Sequence, residues 1–426
     1  MSQDGSKAGP VPRIAIIGAG PGGCILARLL HTHRIACTVF EGETAIDHRS
    51  QGGTLDLRAN TGLAAVKEAG LWKEFQKYAR YDGESLLVTD KKLTTWVRRK
   101  QGKQGQQNKL QEAPEIDRTD LRKLLLESLP KESIRWGMKL VRVQERDEGH
   151  ALHFANGDVE SGFDLIVGCD GAFSKTRTLL TPDSVFYTGL ADWTMQVPNA
   201  KVTAPNLDKL VNRGSILAYS DGRSMAIQQL SSGNIWVSTS GPYTEDYAST
   251  SDLDSKDLES VKVLLREDFR DWRPELLEAI DKAEGDVMWR PLYMLPVGFT
   301  WPHKKGVTLL GDAAHLMTPF SGIGVNTAFY DAMLLAEQIV SFSKSARPDC
   351  FDEHIVAYEK KMFEHAHKAQ KHTEGSMNDM LFTPGAPRTS IESWILRHMK
   401  EGTPAWSHPF LTAVVYAGFW VYKLFV

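Results

Sequence analysis

Two groups of residues in this chain have the types and spacing to hold a phosphate-bearing ligand. The first is Gly18-x-Gly20-x-x-Gly23, inside the stretch RIAIIGAGPGGCILARLL (Arg13–Leu30). In such a fingerprint the first glycine permits a tight turn. The second lets backbone approach a pyrophosphate, and the third lets a helix pack closely on a strand. The helix that follows would offer N–H groups and partial positive charge to phosphates. Glu41 closes the next apolar run, where a carboxylate suits ribose hydroxyls. This group alone does not distinguish NAD from FAD. The second group is GDAAHLMTPFSGIGVN (Gly311–Asn326). An apolar run delivers Asp312 at its end, where it can accept hydrogen bonds from a polyol chain. Gly322 and Gly324 then expose backbone N–H groups at the start of a long helical pattern, a place that favours negative charge. Reduced flavin carries such charge around N1 and O2, and a ribityl chain suits Asp312. Nicotinamide needs neither, so the pair points to FAD.

The surrounding pattern supplies the elements that must position these residues. Ile14–Ile17 reads as a buried strand, Gly18–Gly23 as the turn, and the helix runs to about His31. Ala36–Glu41 is the second strand of a βαβ unit. Helical stripes cover Thr61–Ala79 and Thr119–Leu129, and short strands are expected at Glu84–Trp96, Ile134–Val143 and Leu152–Phe154. Arg98–Lys109 is a polar loop, and Gly162–Arg177 repeats strand, tight turn, helix. From Val185 to about Asp286 strand-like pieces alternate with turn signals, and a charged helix is expected over Asp254–Phe269. Helices are expected again over Gly324–Ser341 and Asp352–His372. The fold class expected is α/β: a Rossmann-like FAD-binding domain of the GR2 type, an inserted mainly β substrate domain, and C-terminal helices. The flavin domain is assigned to 13–80, 106–182 and 285–343, the substrate domain to 81–105 and 183–284, and the helices to 344–426.

Composition narrows the field. A formal net charge of −3 provides no positive field for nucleic acid. Cys24, Cys37, Cys169 and Cys350 form no CxxC pair and read as small buried hydrophobes in a reducing, cytoplasmic compartment. Residues 1–12 are polar, lack an apolar signal core, and are expected to be a disordered leader. The tail 406–426 is apolar and aromatic, but its uncharged stretch is shorter than the ~20 residues a spanning helix needs. It is expected to pack as a helix on a monomeric body. The alternative is an interfacial membrane contact through Tyr416, Trp420 and Tyr422. His365, His367 and His372 share one helix and read as a solvated face, with no metal expected. His315 is expected to pack within its turn, and the basic run Lys91–Lys109 to be a solvated loop rather than an NADPH phosphate site.

With GGTLDL (Gly52–Leu57), PEIDRTDLRKLLLESL (Pro114–Leu129) and DGAFSKTR (Asp170–Arg177) set beside the two glycine-bearing groups, the chain resembles the single-component FAD-dependent aromatic hydroxylases. That superfamily includes p-hydroxybenzoate hydroxylase, and the branch most similar is that of the tetracycline-inactivating monooxygenases. The resemblance implies that Asp56 and Arg118 contact FAD, that Asp312 binds the ribityl region, and that Gly322, Gly324 and Asn326 face the flavin. It implies that Asp170 and Gly171 serve FAD and NAD(P)H, and that Arg49 meets the hydride donor. Read without it, Arg118 could simply cap a helix and Asp170 form a turn. It further implies that NAD(P)H only visits, that reduced flavin and O2 give a C4a-hydroperoxide, and that one oxygen atom enters an aromatic or polycyclic small molecule. Hydroxylation leads, with epoxidation or Baeyer–Villiger insertion as alternatives. Trp193, Met195, Met225 and Trp236 are expected to line the substrate pocket. Between Tyr187–Asn199 and Gly222–Leu230 the chain departs from the tetracycline branch, so tetracycline itself does not carry over. Two readings compete: a cofactor-free binding scaffold like the prenyl-GTPase escort proteins, and a flavin halogenase, whose W-x-W-x-x-P element is missing from the sequence.

Overall fold

The computed structural model describes residues 12–45, 52–99, 112–345, 347–400 and 403–426. A five-stranded parallel sheet forms its centre, in the order Val307–Leu309, Leu165–Gly168, Ile14–Ile17, Cys37–Phe40, Ile134–Arg135. Strands covered on both faces need apolar residues at every position, and Ile14–Ile17 and Leu165–Gly168 are buried throughout. The helix Pro21–Thr32 starts directly after the first strand, with proline in its first turn, where a missing N–H costs no hydrogen bond. It buries Ile25, Leu26, Leu29 and Leu30 and packs against the long helix Gly324–Ser343. The turn between strand and helix tolerates only glycine at two places. Gly18 has φ +104°, and a Cβ on it would lie 2.5 Å from the Cys169 carbonyl oxygen. A Cβ on Gly23 would lie 2.1 Å from the Gly18 carbonyl oxygen.

A second sheet has seven strands in the order Glu284–Met294, Phe186–Val197, Ile235–Pro242, Arg223–Gln229, Ser215–Ser220, Leu86–Thr89, Thr95–Arg99. All its pairs are antiparallel except Ser215–Ser220 with Leu86–Thr89. Its two faces differ. Trp193, Met195, Val197, Met225, Ile227 and Val237 point to the back, where the helices Pro205–Val211, Leu258–Asp268 and Pro274–Asp281 close a dry core over them. Asp192, Thr194, Gln196, Gln228, Trp236 and Ser238 take the alternate positions and point to the front. The C-terminal helices cover one end of that front: Met380, Leu381 and Trp394 pack with Leu190, Tyr219 and Leu292.

Several elements differ from the sequence expectation. The stripe over Thr61–Ala79 is two helices, Gly62–Glu68 and Trp72–Phe75, because Gly70 takes φ +71° and ends the first. The helix expected from Asp254 begins at Leu258, where Asp257 caps it by accepting from Ser260 N at 2.9 Å. The expected Asp352–His372 helix spans Phe351–Met377 and continues into a π-helical turn at Asn378–Phe382. Cys24 and Cys350 are buried, whereas Cys37 and Cys169 are only partly so. The tail forms the helix His408–Tyr422. It is anchored along one side by the Tyr422 hydroxyl donating to Thr95 O at 2.6 Å, and it buries none of its residues fully. Among the described residues no helix is long and apolar enough to cross a membrane.

Candidate functional site

The fingerprint turn and Glu41 form one unit. Glu41 accepts from Ala19 N at 2.6 Å and from Glu43 N at 2.9 Å, so its carboxylate is fixed beside the glycines. Gly20 faces open space, with no atom within 4 Å of where a Cβ would sit. This is a cradle with room for a phosphate at a helix N-terminus.

The second arm starts at the strand Val307–Leu309, turns at Gly311 (φ +63°), and enters the short helix Asp312–His315. A turn at Pro319–Ser321 and Gly322 (φ +64°) then leads into Gly324–Ser343. Asp331, about two turns into that helix, holds the arm in shape. Its Oδ2 accepts from Gly311 N at 3.1 Å and meets His315 Nε2 at 2.5 Å. His315 therefore reaches across to the long helix rather than packing within its own turn. Burial opposes a charge on this imidazole, but Asp331, with help from Asp312, raises its pKa above the ordinary histidine value.

Asn326 joins this arm to the GGTLDL segment. Its carboxamide oxygen accepts from Arg58 N (2.8 Å), Thr61 Oγ1 (3.2 Å) and Gly62 N (3.2 Å), and its nitrogen donates to Asp56 O (2.8 Å). These bonds occupy the side chain, so Asn326 acts as a clamp and not as an open ligand. The clamp brings Asp56 to Gly322: a Cβ there would lie 3.6 Å from Asp56 Oδ1. Arg58 pairs with Asp56 at 3.2 Å and donates to Ser321 O at 3.2 Å, completing the bridge. Gly324 faces open space. Arg58 is not singled out by its residue type; its place directly after GGTLDL is the signal that could have found it.

Arg118 follows the strand Glu115–Asp117, which pairs antiparallel with Thr54–Asp56, and its backbone N donates to Gly53 O at 3.1 Å. Burial lowers the pKa of its guanidinium, the like charge of Arg290 lowers it further, and Asp312 opposes both. Arg118 thus lies within electrostatic reach of Asp312 and of the seven-stranded sheet. Trp236 covers the other side of the same segment: a Cβ on Gly52 would lie 2.1 Å from its ring. Gln228 Oε1 accepts from Thr54 N at 3.3 Å.

Other expected site residues fall elsewhere. Trp193, Met195 and Met225 belong to the back core, at most 1% exposed, because they occupy the apolar alternation of their strands; they do not line the front. Asp170 spends its carboxylate on its own turn, accepting from Ser174 Oγ (2.5 Å), Lys175 N (2.8 Å) and Thr176 N (3.1 Å). It orders the loop whose buried Arg177 donates to Ala313 O at 2.9 Å, tying the loop to the Asp312 turn. The three histidines do not make one solvated face. His367 is exposed, His365 packs on the Tyr330 ring, and His372 is buried. The His372 pKa is pushed down to about 4 by burial, with Arg58 and Arg397 adding to the shift. Lys91 pairs with Asp221 and Asp271. Arg49 and most of the basic run lie outside the described residues.

An open phosphate cradle, a ribose-type carboxylate, and a distant aspartate and glycine-rich helix start meeting one arginine fit the two ends of a flavin dinucleotide. The family model described as FAD binding domain matches residues 12–373. The chain is 31% identical over 414 residues to monooxygenase penA of Penicillium thymicola, covering 85% of this chain and 93% of that protein. It shares its fold with Klebsiella pneumoniae HpxO complexed with FAD and uric acid (TM-score 0.72, 19% identity, 95% and 97% of the two chains). It also shares it with tetracycline destructase Tet(51) (TM-score 0.64, 16% identity, 95% and 97%).

Proposed function

Since the chain belongs to the FAD-binding-domain family of FAD-dependent monooxygenases, we propose that it consumes NAD(P)H and O2 to insert one oxygen atom into an aromatic or polycyclic small molecule, with hydroxylation the favoured outcome. FAD, when bound, supplies the redox and oxygen-transfer chemistry. The chain's own residues hold and shield it. The Gly18–Gly23 turn and Glu41 take the nucleotide end, and Asp56, Arg118, Asp312 and the Gly322–Gly324 helix start take the other. The sheet front, with Trp236 against Gly52, closes the space over that end and limits water. One observation carries the reading: residues far apart in sequence meet, with Asn326 bonded to Asp56 and Arg118 within reach of Asp312. This meeting assembles the flavin end opposite the phosphate cradle at Gly18–Gly23 and supports a cofactor-bound enzyme over the cofactor-free scaffold. Asp312→Ala should yield pale protein with weakened FAD retention and little NADPH oxidation; a fully yellow variant with normal NADPH oxidation overturns the assignment. Substrate-stimulated NADPH consumption with mass spectrometry of products tests the chemistry, the expected gain being one oxygen atom.

A second proposal concerns placement. The tail helix exposes Phe410 (72%), Tyr416 (50%) and Trp420 (66%), and no Asp, Glu, Lys or Arg lies within His408–Tyr422. An uncharged face with tyrosine and tryptophan suits the headgroup region of a bilayer. The full chain should co-sediment with phosphatidylcholine vesicles, and the double variant Phe410→Glu/Trp420→Glu should not; equal sedimentation of the two sinks the idea.

A further inference from the structure

The two-stranded ribbon that carries Asp56 and leads into Arg118 is fastened to the seven-stranded sheet by buried charges that no cofactor contact uses. Glu115 and Asp117 alternate on the strand Glu115–Asp117, so both point to one side and Ile116 to the other. Backbone bonds place Arg80 beside them: its N donates to Glu115 O at 2.7 Å, and its O accepts from Glu115 N at 3.1 Å. Arg80 Nη2 donates to Glu115 Oε2 at 3.1 Å and lies 3.5 Å from Asp117 Oδ1. The three side chains are only 10–12% exposed. Thr54 Oγ1, on the other strand of the ribbon, donates to Glu115 Oε2 at 3.1 Å. From the sheet, Ser215 Oγ donates to Glu115 Oε1 at 3.4 Å, and Ser231 donates to Asp117 Oδ2 through N (3.0 Å) and Oγ (2.7 Å). One network therefore joins the ribbon to two places on the sheet.

Two carboxylates share one guanidinium here, so the fully ionised group carries a net negative charge away from water, which is costly. A single proton removes that charge. Placed on Glu115 Oε1 it keeps the sheet contact, because the Ser215 hydroxyl can accept as well as donate. Burial pushes the Glu115 pKa up to about 7, against the pull of Arg80, Thr54 and Ser215 and with Asp56 adding to the rise. The other charged neighbours bring little relief. Asp120, on the helix Arg118–Glu127, is negative and feels both Asp117 and Arg80. Asp82 and Glu84 flank Gly83, where a Cβ would lie 2.9 Å from Glu115 Oε2, and Asp82 pairs with Arg213 at 2.7 Å.

We propose that Arg80, Glu115 and Asp117 form a charge lock that positions Asp56 and Arg118 for FAD, tight while the carboxylate pair holds one proton and looser once that proton leaves. All three are positioning residues that act through Asp56 and Arg118. The inference rests on the assignment of those two residues to the flavin end of the site. Its sign follows from linkage. A carboxyl whose pKa is higher in the closed lock than in the open one makes closing take up a proton. The contribution to closing is complete below the ordinary carboxylate range and is lost as pH rises through about 7.

The test dialyses the FAD-loaded enzyme at pH 6, 7 and 8 and reads released FAD by its fluorescence. The wild-type Kd for FAD should rise from pH 6 to pH 8 by up to about tenfold, the limit for a carboxyl pKa that falls from about 7 to its ordinary value when the lock opens. Glu115→Gln, a neutral isostere, should remove that rise and hold FAD at pH 8 at least as tightly as wild type. Arg80→Met leaves two carboxylates without their cation and should raise the Kd at pH 8 by about tenfold or more. Adding Glu115→Gln to Arg80→Met should recover most of that loss, which general damage to the fold would not do. Equal pH dependence in wild type and Glu115→Gln overturns the proposal. So does wild-type affinity in Arg80→Met, or a double variant no better than Arg80→Met. If Arg80→Met does not fold, the comparison of wild type with Glu115→Gln decides alone. Loss of FAD by Asp312→Ala, with the Arg80 and Glu115 variants behaving as wild type, removes the lock and leaves the flavin assignment standing. Full FAD retention by Asp312→Ala and by Arg118→Met removes that assignment and the lock with it.

Discussion

Replacing Asn326 by alanine isolates the clamp between the second arm and the GGTLDL segment. The native side chain is 2% exposed and satisfies two backbone donors, Arg58 N and Gly62 N, together with the Thr61 hydroxyl and the Asp56 carbonyl. Alanine leaves all four without that partner. The hydroxyl can rotate toward water, and a carbonyl tolerates undersatisfaction better than an N–H does. The two N–H groups set the scale, at ~1–3 kcal/mol each when buried and unpaired. Gly62 N is buried and keeps most of its cost, whereas Arg58 sits on a part-exposed loop that admits water. The expected loss is about 3 kcal/mol, a large share of the ~5–15 kcal/mol typical of a folded protein but not enough to unfold it. Urea unfolding of the apo-protein reads the stability directly, with unchanged slope showing that the denatured state is not involved. Equilibrium dialysis should show FAD held about tenfold or more weakly, because Asp56 and the helix start no longer share a fixed geometry. Asn326→Asp, which can still accept from all three donors, should lose less than half as much stability. A change within ~0.5 kcal/mol for Asn326→Ala, with normal FAD affinity, would refute the clamp.

The other expectations follow from the same contacts. Gly52→Ala drives a methyl into the Trp236 ring and should cost about 1–3 kcal/mol by overpacking; adding Trp236→Ala should recover most of it, and a purely additive double variant would show that the contact is not the cause. The folded-state pKa of His315 is raised above its unfolded value, so its contribution to stability is complete below the unfolded histidine range and is lost as pH rises through the folded pKa. The free energy of unfolding, wild type minus His315→Gln, should therefore shrink from pH 6 toward pH 9; a flat difference would show that the buried pair is not charged.

Much of the cofactor arm can be read from residue order. Gly18 and Gly23 sit where a tight strand-to-helix turn requires them, Gly20 leaves the space beside that turn open, and Asp312 with Gly322 and Gly324 occupies a second turn. Local chain geometry decides both. The substrate side is harder because it depends on strand register, which residue order alone does not reveal. Trp236 meets Gly52 and Gln228 meets Thr54 only once the sheet is laid over a segment far away in the chain. Trp193 and Met195 face the core for a reason that the sequence itself carries. In ADWTMQV (Ala191–Val197) apolar and polar residues alternate, and the apolar set is the one that needs a core. Large apolar side chains suggest a pocket, whereas they fill the back core and the polar set between them takes the sheet front. The motif around Asp170 suggests a ligand, whereas its oxygens accept from groups four to six residues further on.

The strict two-sidedness of the seven-stranded sheet separates two kinds of evolutionary freedom. Residues 193, 195, 225 and 237 answer to the helices behind, and exchange there trades against melting temperature. Residues 194, 196, 226 and 238 lie on the opposite face, away from those helices, so exchange there is not constrained by the back core. A lineage carrying this scaffold can therefore edit every second position of these strands while the intervening ones keep the architecture unchanged.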